Sequence, residues 1–213
     1  MEKRDVLAQI KREKLIPVIH ADDTNDARKA IEILSECGIK VFEITLTVPN
    51  AVELIAELND TDILIGAGTV LNREQAEKCI EAGAKFIVSP AFNLETIEFC
   101  RAKEVAVMPG SLTPTEVLAA WNAGADCVKV FPCYVMGGAK YLKTLKTLFP
   151  HVEMMPTGGV SCDTIADFFA AGAIAVGVGA DLVDTKAIRE GDSQAIHEKA
   201  RNYLEIVNGL TVD

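Results

Sequence analysis

The sequence predicts an α/β protein in which parallel strands alternate with helices, and three observations support this fold class. Eight short apolar segments are each followed by a helical pattern. Their centres lie roughly 19 to 26 residues apart, a spacing that suits a closed barrel. Glycine recurs between a helix and the next strand, where a left-handed conformation ends a helix, at Gly38, Gly83, Gly124 and Gly172. We therefore predict a (β/α)8 TIM barrel with an extra N-terminal helix; a doubly wound open sheet is the alternative.

The elements are predicted in order along the chain. Residues 2–13 form a polar helix with Val6, Leu7 and Ile10 on one face. A helix start follows the first strand at 23–26, and a second one at 113–116 has Thr113 as N-cap and Glu116 three residues later. The eight strands are predicted at 15–19, 41–46, 63–67, 86–88, 105–108, 127–131, 152–156 and 174–178.

Composition limits the class of protein. Apolar residues make up 49% and charged residues 24% of the 213 residues, which indicates one globular domain over 1–213. The net charge of −10 argues against generic binding to nucleic acid or to an anionic membrane. No apolar run reaches the ~18 residues that span a bilayer, and residues 1–14 lack the apolar region of a signal peptide. We expect a cytoplasmic protein.

Neither the cysteines nor the histidines suggest a metal site. The six cysteines form no C-x-x-C pair, and four of them fall within predicted helices or strands, as free cysteines in a reducing compartment do. The three histidines, at 20, 151 and 197, lie far apart in the sequence. We expect no metal.

Two charged residues interrupt apolar strands. Lys129 lies in the middle of the sixth strand, where alternation puts it on one face with Cys127 and Phe131. Burial disfavours an unpaired ammonium, and a neutral amine is a nucleophile that forms Schiff bases. Glu43 interrupts the second strand in the same way. The lysine head could instead reach water, and the two charges could simply neutralise each other.

Glycine-rich loops follow several strands, at the barrel end where active sites lie. Gly66-Ala67-Gly68-Thr69 closes the third strand, where glycines let backbone amides approach a ligand. Ser89-Pro90 and Pro109-Gly110 terminate the fourth and fifth. Loops 156–161 and 177–181, the second with Gly179, follow the seventh and eighth strands, where barrels often bind phosphate. Turns without a ligand are the alternative.

These motifs also carry a family resemblance. They occur in one order at the predicted strand ends: Phe42-Glu43-Ile44-Thr45, Gly66-Ala67-Gly68-Thr69-Val70, Ser89-Pro90, Met108-Pro109-Gly110, Lys129-Val130-Phe131-Pro132 and Pro156-Thr157-Gly158-Gly159-Val160. Over residues 8–208 the chain resembles the class I 2-keto-3-deoxy-6-phosphogluconate (KDPG) and 4-hydroxy-2-oxoglutarate (KHG) aldolases. The resemblance implies a homotrimeric enzyme without cofactor that cleaves a 2-keto-4-hydroxy acid to pyruvate and an aldehyde.

The resemblance also implies residue roles. Lys129 matches the Schiff-base lysine and Glu43 the acid/base. The remaining matches fall into three groups: Thr69 and Thr157 at the pyruvyl end, Pro90 and Phe131 in the apolar wall, and Gly158 and Gly159 in the phosphate-binding backbone.

Three positions depart from the family pattern. Thr47 stands where many members have an arginine that is thought to hold the substrate carboxylate, and His20 stands where another branch has its arginine. His20 is therefore a candidate anchor, or simply a polar residue at a strand end. Ala180 replaces a common serine, and Asp181 adds a negative charge that disfavours phosphate. An unphosphorylated substrate such as 4-hydroxy-2-oxoglutarate thus stays open beside the phosphorylated one.

Two other functions remain open at this stage. A phosphate-binding barrel with non-covalent chemistry, such as an isomerase, would not need a reactive lysine. A catalytically silent trimeric barrel would show no turnover, and the presence of both Lys129 and Glu43 argues against it.

Overall fold

The computed structural model describes residues 1–210, and its strands and helices alternate as predicted. The strands are β1 Leu15–Ile19, β2 Val41–Thr45, β3 Leu64–Gly68, β4 Phe86–Val88, β5 Ala106–Met108, β6 Gly110–Ser111, β7 Val128–Val130, β8 Met154–Pro156 and β9 Val176–Val178. The helices are α1 Lys3–Glu13, α2 Thr24–Glu36, α3 Ala51–Leu58, α4 Arg73–Glu81, α5 Leu94–Ala102, α6 Pro114–Asn122, α7 Ala139–Leu148, α8 Ile165–Ala170, α9 Thr185–Glu190 and α10 Ser193–Gly209. A 3-10 helix, Cys133–Met136, follows β7.

The strands form a closed parallel barrel. Six pair in the order β5-β4-β3-β2-β1-β9, and three pair in the order β6-β7-β8. Only Pro109 separates β5 from β6, so the two are halves of one interrupted strand. The prediction that Pro109-Gly110 terminates the fifth strand is wrong, because Gly110 and Ser111 pair with β7. At the other seam, a parallel bridge joins Thr157 after β8 to Gly177 of β9. The predicted eight-stranded barrel is confirmed, and the open-sheet alternative is wrong.

Side-chain alternation separates the barrel interior from its outer face. Ten strand-region residues line the interior: Ile16, Val41, Leu64, Phe86, Val88, Ala106, Met108, Cys127, Met155 and Ala175. Phe42, Ile44, Val128 and Val130 belong to the larger core between the strands and the helices. Glu43 and Lys129 lie between these outward residues, so both point into the barrel.

Helix α1 closes the N-terminal end of the barrel. Its Val6 and Ile10 are buried and join the interior cluster, as the predicted apolar stripe requires. A bulky plug at this end leaves the opposite end, where the strands terminate, as the place for a site.

The predicted helix caps are confirmed. Asp23 caps α2, and Thr113 and Glu116 form a reciprocal capping box at α6. All four repeat glycines are left-handed, with φ between 96° and 106°. The helices therefore begin and end where local residue chemistry places them.

The six cysteines are free thiols. Burial raises the pKa of Cys79 and of Cys133 to about 11, so both thiols stay protonated at neutral pH. They act as small core side chains rather than as nucleophiles.

Candidate active site

Lys129 and Glu43 meet inside the barrel. The Lys129 Nζ donates a hydrogen bond to Glu43 Oε1 at 3.2 Å, and their side chains are only 6% and 0% exposed. Four steps around the ring separate β2 from β7, so the two side chains reach each other from opposite walls. The alternative in which the lysine head reaches water is wrong.

Two glycines of β3 make room for interior side chains. A Cβ on Gly68 would lie 2.1 Å from Glu43 Oε1, and one on Gly66 would lie 2.2 Å from the Phe86 ring. From sequence, these glycines are predicted to let backbone amides approach a ligand. The structure shows instead that Gly68 provides the space that the Glu43 carboxylate occupies.

The same arrangement recurs twice around the barrel. A Cβ on Gly177 of β9 would lie 2.4 Å from Thr157 Oγ1, and one on Gly110 of β6 would lie 2.2 Å from the backbone of Pro90. Each glycine receives a predicted site residue from a neighbouring strand, which brings Thr157 and Pro90 to the same end of the barrel as Lys129.

Two side-chain oxygens in this region are buried without a hydrogen-bond partner among residues 1–210. They are Glu43 Oε2 and Thr157 Oγ1. An unpaired buried oxygen costs free energy unless a ligand or water satisfies it. Both atoms are thus suited to contact a polar substrate. Asn59 Oδ1 and Ser111 Oγ are also unpaired. Ser111 pairs in register with Val130, and paired residues share a face, so its side chain lies on the outer face of the barrel and not in the site.

Two further predicted site residues are Thr69, which follows the glycine that faces Glu43, and Phe131, which lies beside Lys129. Thr69 directly follows Gly68 and has φ of 56°, a conformation that is costly for a β-branched residue. Such strain is typical of functional sites. The Phe131 ring centroid lies 5.3 Å from Lys129 Nζ, so this ring forms part of the wall beside the amine.

His20 and Thr47, the two positions without the expected arginine, contact each other. The Nδ1 of His20 lies 2.6 Å from Thr47 Oγ1, which lies 2.6 Å from Thr45 Oγ1. Thr45 donates its only hydroxyl proton to the Ile19 carbonyl. Thr47 must therefore donate to Thr45, and His20 must donate from Nδ1 to Thr47. With Nδ1–H donated to Thr47, the ring leaves Nε2 for a ligand: a neutral imidazole offers a lone pair there, and only the imidazolium offers an N–H donor.

The glycine-rich loop after β8 offers backbone donors. Gly158 and Gly159 have φ of 89° and 80°, and their N–H groups donate no hydrogen bond among residues 1–210. Tyr134 packs against both glycines, because Cβ atoms there would lie 3.2 and 2.6 Å from its side chain. Gly179, after β9, has open space where a Cβ would lie.

Asp181 does not act as the sequence analysis expected. Its carboxylate pairs with Lys199 at 3.2 Å and accepts a hydrogen bond from the Tyr203 hydroxyl at 2.5 Å. Both partners lie on α10, so a cation compensates the charge. The charge of Asp181 is therefore a weaker argument against a phosphate than the sequence alone suggested. Sequence reasoning missed Tyr203 because its position in α10 follows the ordinary apolar stripe of a packed helix.

Residues 1–210 provide neither a metal-binding cluster nor a membrane-spanning helix. Within that range no group of three or more His, Cys, Asp or Glu side chains could hold a metal ion. None of the helices there is long and apolar enough to cross a membrane.

Comparisons with known proteins agree with this geometry. The family pattern described as KDPG and KHG aldolase matches residues 6–199. A 2-dehydro-3-deoxy-phosphogluconate aldolase of Treponema pallidum is 32% identical over 204 residues, which cover 95% of this chain and 97% of the relative.

Two solved structures share both fold and sequence. The KDPG aldolase of Legionella pneumophila, with pyruvate captured as a covalent carbinolamine intermediate, has a TM-score of 0.84 and 31% identity, covering 92% of this chain and 96% of its own. The 2-keto-3-deoxy-6-phosphogluconate aldolase of Zymomonas mobilis ZM4, with 3-phosphoglycerate, has a TM-score of 0.80 and 28% identity, covering 93% and 95%. From the site, the barrel and these matches, the chain is an aldolase, a lyase, and belongs to the KDPG and KHG aldolase family.

Proposed function

We propose that this chain is a Schiff-base (class I) aldolase that reversibly cleaves a 2-keto-4-hydroxy acid to pyruvate and an aldehyde. The observation that carries the proposal is the buried lysine amine of Lys129, held 3.2 Å from the Glu43 carboxylate inside the barrel. A lysine nucleophile needs a nearby group that exchanges protons, and this pair provides both. The chemistry requires no cofactor.

The reaction begins at the keto carbon. The Lys129 nitrogen, once its proton has passed to Glu43, attacks C2 and forms a carbinolamine. The protonated Glu43 gives its proton to the carbinolamine hydroxyl, which leaves as water; this gives an iminium with its nitrogen bonded to C2 and restores the Glu43 carboxylate. The iminium draws electrons from the C3–C4 bond, which lowers the barrier to its cleavage.

Glu43 then completes the cleavage. Its carboxylate accepts the C4 hydroxyl proton, directly or through a water, as the C3–C4 bond breaks to an enamine and an aldehyde. The protonated Glu43 returns a proton to C3, and hydrolysis releases pyruvate and free Lys129. The unpaired Oε2 of Glu43 is the oxygen best placed for this exchange, because Oε1 already contacts Lys129.

The substrates that we propose are 2-keto-3-deoxy-6-phosphogluconate, 4-hydroxy-2-oxoglutarate, or both, which give glyceraldehyde 3-phosphate or glyoxylate as the aldehyde. Gly158, Gly159 and Gly179 form the phosphate subsite. The unused N–H groups of the first two glycines support it, since exposed backbone donors bind phosphate. The Zymomonas relative holds the phosphorylated ligand 3-phosphoglycerate, which also favours such a subsite.

The pyruvyl end is assigned to four side chains. Thr69 and Thr157 lie beside it, and Pro90 and Phe131 form its apolar wall. His20 is the anchor for the substrate carboxylate in its imidazolium form, in which Nε2–H donates to the carboxylate while Nδ1–H stays bonded to Thr47. This assignment follows from the donor order through Thr45, which leaves Nε2 unused.

We also propose a cytoplasmic homotrimer. A three-fold ring needs two different surfaces that meet head to tail. Two exposed apolar groups lie just after strands, at the open end of the barrel: Leu71, Phe92 and Leu94 after β3 and β4, and Tyr134, Val135 and Met136 after β7. Six free thiols suit a reducing compartment.

The alternative functions make different predictions. A barrel with non-covalent chemistry would keep activity after Lys129→Arg, whereas a Schiff base cannot form on arginine. A catalytically silent barrel would show no turnover, and the buried pair of Lys129 and Glu43 would then have no catalytic role.

Borohydride trapping with pyruvate tests the proposal. Reduction of the iminium should add the pyruvyl group to one peptide, the one that contains Lys129, as read by peptide mass. An adduct elsewhere, or none on folded protein, would remove the covalent mechanism. Lys140, exposed on α7, provides a control lysine that should stay unmodified.

A further inference from the structure

A single buried tyrosine connects α10 to both loops of the proposed phosphate subsite. Tyr203 is 0% exposed, and its hydroxyl donates to Asp181 Oδ2 at 2.5 Å. The same hydroxyl lies 3.4 Å from the Val160 carbonyl oxygen. Val160 directly follows Gly159 in the loop after β8, and Asp181 lies two residues after Gly179 in the loop after β9.

Electrostatics keep this connection intact at neutral pH. Burial and the hydrogen bond to Asp181 both raise the pKa of Tyr203, so the hydroxyl keeps its proton and remains a donor. Lys199, one helical turn before Tyr203, pairs with the other carboxylate oxygen of Asp181 at 3.2 Å. The carboxylate is therefore held by two donors from one helix, in bonds that are charge-assisted.

The Asp181 side chain fixes a short turn. The N–H groups of Leu182 and Val183 donate to the Gly179 carbonyl at 3.0 and 2.9 Å, which closes the backbone around Ala180 and Asp181. A carboxylate anchored to α10 thus sets where Gly179 and Ala180 lie. Because the one hydroxyl proton goes to Asp181, Val160 meets Tyr203 through packing in the buried core rather than through a second strong hydrogen bond. That packing sets the separation of Gly179 and Ala180 from Gly158 and Gly159.

We propose that Tyr203 and Asp181 are positioning residues that hold the two phosphate-binding loops at the separation a phosphate needs, and so favour phosphorylated over unphosphorylated substrates. The inference rests on the phosphate subsite proposed above. Neither residue touches the reacting atoms. Lys129 and Glu43 lie on β7 and β2, whereas the two loops follow β8 and β9. A shift of these loops should therefore affect binding of the phosphate end of a long substrate and leave the reacting end unchanged.

The test compares 2-keto-3-deoxy-6-phosphogluconate with the shorter, unphosphorylated 4-hydroxy-2-oxoglutarate in the same enzyme preparations. Tyr203→Phe removes only the hydroxyl and keeps the buried ring. We expect it to raise KM for the phosphorylated substrate by about tenfold, as loss of one charge-assisted hydrogen bond would. KM for 4-hydroxy-2-oxoglutarate and kcat for both substrates should stay unchanged. The inhibition constant of inorganic phosphate should rise in parallel.

Asp181 variants provide a second route if Tyr203→Phe does not fold. Asp181→Asn keeps an oxygen that can accept from Tyr203 and should retain most of the preference, whereas Asp181→Ala should lose it. Tyr141→Phe is the matched control. Tyr141 also donates a hydroxyl to a loop carbonyl, that of Leu112, and among residues 1–210 it makes no hydrogen bond to either phosphate loop. It should leave the substrate ratio unchanged.

The outcomes separate the inference from the proposed function. If the unmodified enzyme cleaves the phosphorylated substrate and Tyr203→Phe changes both substrates equally, or neither, the positioning role is wrong and the aldolase assignment stands. If the unmodified enzyme neither cleaves the phosphorylated substrate nor responds to inorganic phosphate, the phosphate subsite and the inference built on it both fail.

Discussion

Lys129 and Glu43 each depend on the other for stability as well as for chemistry. Removing one member of a buried ion pair leaves the other charged and unpaired, at a cost of about 3 to 5 kcal/mol. Lys129→Ala should therefore abolish cleavage and also lower the free energy of unfolding, measured in urea. Lys129→Met combined with Glu43→Gln should recover most of that stability without recovering activity. If the single and double variants unfold with equal free energies, the unpaired Glu43 charge left by Lys129→Ala does not destabilise the fold.

The role of Glu43 can be read separately from that of Lys129. Glu43→Gln removes the exchangeable proton while keeping the shape of the side chain. We expect exchange of the pyruvate methyl protons in heavy water to slow by about 100-fold or more, as measured by NMR. Glu53→Gln, a change on the exposed face of α3, serves as control. Unchanged exchange in Glu43→Gln would assign the proton transfer to another group.

His20 offers a test with two near-isosteric replacements. The asparagine amide can replace Nδ1 as the donor to Thr47 but does not reach the position of Nε2. The glutamine amide does reach the position of Nε2. If Nε2 holds the carboxylate, His20→Asn should raise KM for pyruvate in the exchange assay by about tenfold, and His20→Gln by less. An equal effect of both replacements would reduce His20 to a polar residue at a strand end.

Sequence reasoning located these residues but not their partners. Lys129 and Glu43 stood out because a charge in an apolar strand is unusual. That they meet follows only from barrel closure, which places β2 opposite β7. The hydrogen-bond order through Thr45 depends on loop geometry that residue spacing does not contain. The roles of the acid/base pair and of the substrate-contacting residues remain predictions.

At the scale of elements, glycines decide which side chains fit inside the barrel. Gly68→Ala would place a Cβ 2.1 Å from Glu43 Oε1, so the carboxylate must move away from Lys129. We expect kcat to fall by about 100-fold, the cost of a reacting group displaced by about 1 Å, while the barrel stays folded by circular dichroism.

Gly209→Ala is the matched control for that change. Gly209 ends α10, and a Cβ there meets nothing within 4 Å. It should leave kcat unchanged and stabilise the helix slightly, since alanine is the better helix former. Normal turnover in Gly68→Ala would show that Glu43 tolerates a shift of this size.

Helices and their ends were the most predictable elements. Asp23, Thr113 and the repeat glycines act through neighbours in sequence, so local chemistry specifies them. Strand ends were less accurate. The strand at 127–131 is shorter in the structure, Val128–Val130. The fifth strand, predicted to end before Pro109, resumes beyond it at Gly110–Ser111, because pairing with neighbours rather than local pattern sets where a strand stops.

For the whole molecule, the proposed trimer depends on the exposed apolar residues at the open end of the barrel. Val135→Asp together with Met136→Asp places two charges in one of the two surfaces. We expect this variant to sediment as a monomer of 22.9 kDa, while the unmodified chain sediments at three times that mass. Leu148→Asp alters an exposed apolar residue at the far end of α7 and should leave the trimer intact. A monomeric unmodified chain would contradict the proposal.

The charge of the whole chain bears on substrate entry. With a net charge of −10, the protein repels an anionic keto acid at long range. We therefore expect binding to come from local groups, and the proposed ones are the Lys129 amine, His20 and the unused amides of Gly158 and Gly159. Length, composition and repeat spacing predicted the barrel, but they carry no information on this local arrangement. That residues 1–213 form one domain stays a prediction.

The pairing of glycines with site residues on adjacent strands has a consequence for redesign. Gly177 has no side chain, and the Thr157 side chain occupies the space that one would take. The side chain could therefore be supplied from either position. Changing Gly177→Ser together with Thr157→Ala would carry a hydroxyl from β8 to β9 while keeping the filled volume nearly constant. At the rim of this barrel, a side chain can thus be supplied from either of two adjacent strands. A polar group could be moved from one strand to its neighbour, to meet a differently shaped aldehyde, without altering Lys129, the lysine proposed to form the Schiff base.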